Sequence, residues 1–359
     1  MRYPIRLAGA ALLAVSGSLA CSEDDATPDA SGGAGGSAGS PAGAGTSTGG
    51  SKASGGTAAV AGSGGSPAQA GAAGAAVTDL RGPCADGTRL GGFEAMLEQD
   101  YTSIRGKVLN AVVSSAILTE LASDSGCKLV KAENPYCSGG CDSGQVCSSD
   151  AKCVAAAVSQ SVGNVAISGL AAAATMKPVV PGNNYFVSGD IEFPHPGFEP
   201  GSATALTATG GDLPGFSLYG KGVAALALAQ GDWILERTKP FLVTWTKGGV
   251  EEASLRITLR VDQHGTSPVT LTCVTDDDGE LEVSATLVDA LLDAGVTGFP
   301  TGQVYRETVD SVELGAGCVE LAMAAHQQRT LRVAGYVPCR KQQDCPDGKT
   351  CNLPLERCE

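Results

Sequence analysis

Histidine is scarce in this chain: His195, His264 and His326 are the only three in 359 residues. No HExxH pair, Walker A loop or Gly-rich turn between a strand and a helix is present, so the common signatures of zinc proteolysis, phosphate cradling and dinucleotide binding are missing. Positive charge is also short. Lys and Arg number 24 against 38 Asp and Glu, a formal net charge of −14. That balance argues against nucleic acid and against electrostatic docking on anionic lipid. No apolar run reaches the roughly 18 residues that a membrane helix needs. The best candidate, Val162 to Met176, is interrupted by Gly163, Asn164, Ser168 and Gly169.

What is present begins with a leader. Arg2 and Arg6 precede an apolar run from Leu7 to Val15, and Ser16-Gly17-Ser18-Leu19-Ala20 supplies small residues before Cys21. This is the layout of a secretory signal peptide over residues 1–20. Ser18-Leu19-Ala20-Cys21 resembles a bacterial lipobox, and the resemblance implies that Cys21 is the lipid attachment point. The expected place is then the outer membrane or cell surface, with the anchor's membrane as a partner. Ordinary cleavage after Ala20 would give a secreted protein instead. Loss of the leader removes two arginines and no acid, so the exported chain is more acidic still.

Residues 21–78 read as a linker. From Ala30 to Thr78 the single charge is Lys52, no aromatic occurs, and Val60 and Val77 are the large aliphatics. Such a segment cannot bury enough apolar surface to offset its ordering entropy, and disorder is expected. As a flexible Gly/Ser coil it would span roughly 35–42 Å. Gly35-Gly36-Ser37-Ala38-Gly39 matches the GxSxG nucleophile pattern, but neither a strand nor a helix flanks it, so Ser37 is a chance match.

Beyond Cys21, twelve cysteines remain, and they fall into groups. Cys137, Cys141, Cys147 and Cys153 form one cluster, expected as a module over 137–154. Cys339, Cys345, Cys351 and Cys358 form another, expected over 338–359. Cys84 with Cys127, and Cys273 with Cys318, are the remaining two pairs. In an exported chain this arithmetic predicts six disulfides. The clusters lack a CxxC pair, which argues against zinc. Gly144 and Gly348 hold the same offset in the two clusters, where a tight turn wants positive φ. Modules this small cannot build a hydrophobic core and must be stapled. They resemble the Dickkopf- or EGF-like Cys-rich modules of bacterial surface proteins.

The body, residues 155–337, reads as an antiparallel β-sandwich. Phe241 to Thr246 alternates, and so does Ala253 to Val261, with Leu255, Ile257, Leu259 and Val261 on one face. Period-two runs about ten residues apart are the sandwich pattern. Gly248-Gly249 is expected to turn the first run into the second. One short helix is expected from Ser284, its N-cap, to Gly295. A Cys273–Cys318 bridge would contribute roughly 3–4 kcal/mol by loop-closure entropy. Residues 79–136 read as a small β-rich segment, with Gly91–Leu97 and Tyr101–Leu109 as a hairpin. A helix across Met96 to Leu121 is the alternative, disfavoured by Gly106.

Chemistry is thin. Asp262 and His264 stand two apart, where alternate residues aim at one site, but no nucleophile motif points there. His195 sits in a Pro-constrained turn. Asp276-Asp277-Asp278 offers carboxylates for calcium but lacks the spacing of a calcium loop, so a solvated hairpin tip is expected. Nine aromatics lie between Tyr185 and Trp245. Most are expected in the core; Trp233, beside Asp232, is the candidate for a surface shelf that stacks on a sugar. Trp233, Asp262 and His264 are thus the candidate ligand-binding residues, with no catalytic residue, metal or cofactor expected. Leader, linker, β-rich body with Val243-Thr-Trp-Thr246 and Asp262-Gln-His-Gly265, and Cys-rich tail together resemble a type of Gram-negative surface lipoprotein. The resemblance implies architecture and no activity. The expectation is a non-enzymatic displayed protein for adhesion, envelope structure or protein binding, with a carbohydrate-binding sandwich as the alternative.

Overall fold

The computed structural model describes residues 79–187, 193–262 and 268–359. Cys21, the leader, the linker with Ser37, and His264 lie outside the described residues.

The chain is mainly β, with one α-helix among the described residues. It opens with a hairpin, β1 (Arg89–Leu97) and β2 (Thr102–Val108), then β3 (Ile117–Asp124) and β4 (Cys127–Glu133). The first Cys module holds β5 (Gln145–Cys147) and β6 (Cys153–Ala155). Next come β7 (Val165–Ser168), β8 (Ala174–Met176), β9 (Tyr185–Phe186), β10 (Ala203–Ala208) and β11 (Phe216–Lys221). They are followed by β12 (Trp233–Leu235), β13 (Phe241–Thr244), β14 (Ser254–Arg260), β15 (Val269–Asp276) and β16 (Glu280–Val283). After α1 (Ala285–Asp293) come the long pair β17 (Thr301–Glu313) and β18 (Cys318–Val333). The last module holds β19 (Cys351–Asn352) and β20 (Arg357–Cys358).

A ten-stranded sheet runs β3-β4-β15-β14-β17-β18-β1-β2-β9, with β12 added beside the end of β18. Its pairs are antiparallel except β1 and β12, which lie parallel to β18. The segment 79–136, expected as a small unit, therefore supplies four strands to the same sheet as the body. The hairpin reading of its first half is correct and the helical alternative is not.

A second sheet, β11-β10-β7-β8, covers the inner face of the first. Phe216 of β11 lies 6.4 Å from Phe93 of β1, and Thr308 Oγ1 donates to the Lys221 carbonyl at 2.6 Å. Alternation makes this sandwich: Leu255, Ile257 and Leu259 of β14 are fully buried, as predicted, and Leu206 and Leu218 of the second sheet are buried in the same core. Helix α1 closes one end of the core. Ser284 accepts from the Leu287 N–H as N-cap, and Leu287, Val288, Leu291 and Leu292 are buried.

Gly248-Gly249 is not a hairpin turn. β13 pairs with β16, and β14 with β15 and β17, so these glycines carry the chain from one sheet to another. Gly248 is required there for another reason: a Cβ would stand 2.7 Å from Asp277 Oδ2.

All twelve described cysteines are paired. The two modules share one connectivity, first to third and second to fourth: Cys137–Cys147 with Cys141–Cys153, and Cys339–Cys351 with Cys345–Cys358. Gly144 and Gly348 both have positive φ, 79° and 84°. The four other cysteines do not pair as the sequence suggested. Cys84 joins Cys318, and Cys127 joins Cys273. Sheet neighbours decide this, because Cys127 of β4 lies directly opposite Cys273 of β15.

Candidate functional site

β17 carries buried polar side chains into the sandwich, among them Arg306, Thr308 and Asp310. Arg306 points inward from β17 and is 1% exposed, beside Asp277 at 5%. Its Nη1 donates to the carbonyls of Ala224 (3.2 Å) and Ala225 (3.0 Å), and its Nη2 to the Thr246 carbonyl and to Asp277 Oδ1. Nε lies 3.0 Å from Asp277 Oδ2 but is not aligned for a hydrogen bond, so that contact is one of charge alone. Asp277 also accepts from Trp245 Nε1 and the Gly248 N–H, both at 2.7 Å. The middle residue of the acidic run is thus not at a solvated tip. It is committed to an internal clamp, while Asp276 and Asp278 are exposed.

A second clamp ties the residues just before β1 to β17. Asp310 accepts from Arg81 Nε (2.8 Å), Arg81 Nη2 (2.6 Å), the Arg81 backbone N–H (3.0 Å) and the Tyr219 N–H (2.8 Å). Burial alone would raise its pKa; the Arg81 and Tyr219 hydrogen bonds outweigh that and hold it below the usual carboxylate range.

The outer face of the large sheet is different. Register places Phe186, Arg105, Glu94 and Ala322 in one row across β9, β2, β1 and β18. Gly92 and Lys107 make the next row. Because Gly91, Gly92 and Ala322 carry little or no side chain, the sheet is nearly bare here, and an open groove of about 530 Å³ results. Arg89, Arg105 and Lys107 stand around it with one carboxylate, Glu94, and Phe186, 48% exposed, forms a wall. Arg105 reaches Glu94 only at 3.3–3.4 Å, and Lys107 has no ion pair among the described residues. Arg89 is held by Glu320.

Further along the same face, Tyr305 lies between Arg256 (4.2 Å to the ring centroid) and His326 (4.5 Å, stacked). Arg256 forms a bidentate pair with Glu307, both bonds 3.0 Å, and His326 Nδ1 lies 2.8 Å from Glu98. Both faces of the Tyr305 ring are thus covered, while His326 Nε2 is buried without a hydrogen-bond partner among the described residues.

The third feature is an edge. β3 is the last strand of the sheet and has no neighbour on its outer side among the described residues. Ile117, Leu118 and Leu121 are exposed on it, at 38%, 68% and 48%. A bulge at Leu121 interrupts its pairing with β4 and leaves Ile117–Glu120 as the regular stretch.

Of the ligand-binding residues picked from the sequence, Trp233 and Asp262 lie among the described residues and His264 does not. Trp233 is 8% exposed, packed edge-on to Phe241 at 5.5 Å, with its ring in the slot that Gly302 leaves open. It is a core residue, which removes the proposed sugar shelf. Asp262 receives a hydrogen bond from Thr297 Oγ1 and bridges to Thr297 through the backbone. His195 Nδ1 pairs with Thr102 Oγ1 at 3.1 Å. Trp245 is buried, as its alternation predicted. The aromatic missed was Phe186. The Gly91-Gly92 pair inside a strand, beside the Arg105/Lys107 alternation, was the available signal.

The fold and its faces define a disulfide-stapled, two-sheet β-sandwich with small Cys modules. No protein-family model and no curated protein matches the chain. Among solved structures, the chicken CNTN1 FN1–FN3 domains match with a TM-score of 0.19 and 7% identity, over 65% of this chain and 78% of that one. A likeness at that TM-score carries no argument. Among the described residues no helix is long and apolar enough to cross a membrane.

Proposed function

We propose that this protein is a non-enzymatic binding module displayed outside the cell on a lipid anchor at Cys21, of the Gram-negative surface lipoprotein type. The observation that carries the binding part is the open edge of β3. An edge strand exposes a row of unpaired N–H and C=O groups, and native proteins usually cover or charge such edges. Here the regular stretch Ile117–Glu120 presents Ile117 and Leu118 to solvent beside the exposed charge of Glu120. An extended segment of a partner protein can add there as a further strand, gaining main-chain hydrogen bonds and two apolar contacts. The charges on β3, Glu120 and Asp124, are both acidic in an acidic chain, so a basic segment is the complementary occupant. Six disulfides suit a protein that must keep this surface in an oxidising exterior.

Selection of displayed ten-residue peptides against the full chain tests the edge. The expected winners are basic and rich in β-branched residues, and their binding protects the amides of 117–120 from hydrogen exchange. Leu118→Lys should abolish that binding while changing stability by no more than about 0.5 kcal/mol. Winners indifferent to Leu118→Lys would sink the proposal. Mass spectrometry of the exported N-terminus tests the anchor separately: a diacylated or triacylated Cys21 is expected, and an unmodified terminus removes the anchor.

A further inference from the structure

We infer that the bare groove on the outer face, over β1 and β2, binds a segment of linear polysaccharide bearing carboxylates. This inference is independent of the β3 edge. Three observations carry it.

The first is charge. The chain is strongly acidic, yet this groove gathers Arg89, Arg105 and Lys107; Arg89 is paired with Glu320 and Arg105 with Glu94, so Lys107 is the surplus cation. Lys107 has no ion-pair partner among the described residues, and the Arg105–Glu94 contact is long, at 3.3 Å. Arg105 is 62% exposed in its side chain and can turn from Glu94 to a ligand oxygen without leaving a buried charge behind. An anionic ligand is therefore the complementary one.

The second is that the backbone here is already spent. β1 lies between β18 and β2 and pairs with both along its length. Its N–H and C=O groups are used within the sheet, so an extended peptide gains no strand pairing on this face. A ligand must instead be held through flat contact and side-chain hydrogen bonds. A pyranose ring provides both, with a C–H face for apolar contact and hydroxyls at its rim.

The third is shape. Gly91, Gly92 and Ala322 keep the floor low, and added bulk is barred: a Cβ on Gly92 would meet the Glu320 carbonyl oxygen at 2.4 Å. Phe186, half exposed, supplies the aromatic wall that a sugar ring stacks on, in register with Arg105. Asn184 also lines this end. The volume, about 530 Å³, lies in the range of small-ligand sites and takes a short stretch of an open-ended chain. Arg105 and Lys107 alternate on β2, so both reach one face, as successive carboxylates of a uronic-acid chain require.

The test is calorimetric titration of the full chain with an oligogalacturonate, its methyl ester, and poly-L-glutamate of equal charge. The oligogalacturonate should bind, and the methyl ester should bind at least about tenfold more weakly, since the charge-assisted hydrogen bonds are lost. Arg105→Gln with Lys107→Gln, both on exposed side chains, should weaken binding by about tenfold or more with an unchanged melting temperature. Phe186→Ala should weaken both the acid and the ester, which separates stacking from charge. Leu118→Lys should leave oligogalacturonate binding intact, so failure of the edge proposal and failure of this one are distinguishable. Equal affinity for poly-L-glutamate would overturn the inference in favour of an acidic peptide. So would no binding at millimolar ligand, or binding indifferent to the Arg105/Lys107 double substitution.

Discussion

Arg306 and Asp277 show what a single buried charge pair does in this molecule. The guanidinium crosslinks the 224–225 segment, Thr246 and the β15–β16 turn onto β17. Arg306→Met removes the cation and leaves a buried carboxylate, and should cost about 3–5 kcal/mol in chemical denaturation. Asp310 makes a different prediction, in pH. Its folded pKa is held low by Arg81 and Tyr219. Its stabilising contribution is thus fully present above the ordinary carboxylate value of about 3.9 and is lost as pH falls through the lower folded value. The slope of stability against pH below 4 should be shallower in Asp310→Asn, which also starts from a less stable protein; an unchanged acid slope would contradict the Arg81–Asp310 clamp. Residues were unevenly readable. Trp245 announces itself by alternating with Val243 and Phe241. Trp233 does not, because its slot is made by Gly302, a residue far away in sequence that only sheet pairing brings near.

Elements were readable where local chemistry decides them. Helix α1 carries its own cap, apolar period and Gly stop, so nothing distant was needed to find it. β14 showed its buried face by alternation alone. The partners of strands were another matter. β1 lies parallel to β18, more than two hundred residues on, and no local signal reports such a pairing. The same gap explains the Gly248-Gly249 error: a Gly pair between two alternating runs suits a hairpin, but β13 had a better partner in β16. At this scale the account predicts that Gly302→Val is severe. An added Cβ would stand 2.6 Å from the Trp233 ring, so Trp233 must leave its slot. The expected loss is about 1–3 kcal/mol, with a red shift of tryptophan emission as the indole meets water. Unchanged emission and stability would contradict the packing described.

Across the folded part of the molecule, the Cys84–Cys318 bridge and the Arg81 clamp converge on one job. Arg81, Cys84 and the Cys84 N–H, which donates to Glu320 Oε1 at 2.8 Å, bolt the segment before β1 to β17 and β18. Cys84–Cys318 spans 234 residues and Cys127–Cys273 spans 146. By loop-closure entropy each is worth up to about 5 kcal/mol, and the double substitution Cys127→Ser with Cys273→Ser should cost about 2–5 kcal/mol in chemical denaturation. Cysteine counting sorted the residues into clusters correctly because the modules close locally. It failed for the other four because pairing by nearness in sequence ignores which strands become neighbours.

The oxidised framework underlies both the export reading and the arrangement of the large sheet, and peptide mapping under non-reducing conditions tests it directly. With thiols blocked on intact cells before lysis, the account predicts peptides linking Cys84 to Cys318 and Cys127 to Cys273, with no blocked thiol among the twelve. Blocked thiols at these positions, or links joining Cys84 to Cys127 and Cys273 to Cys318, would contradict it.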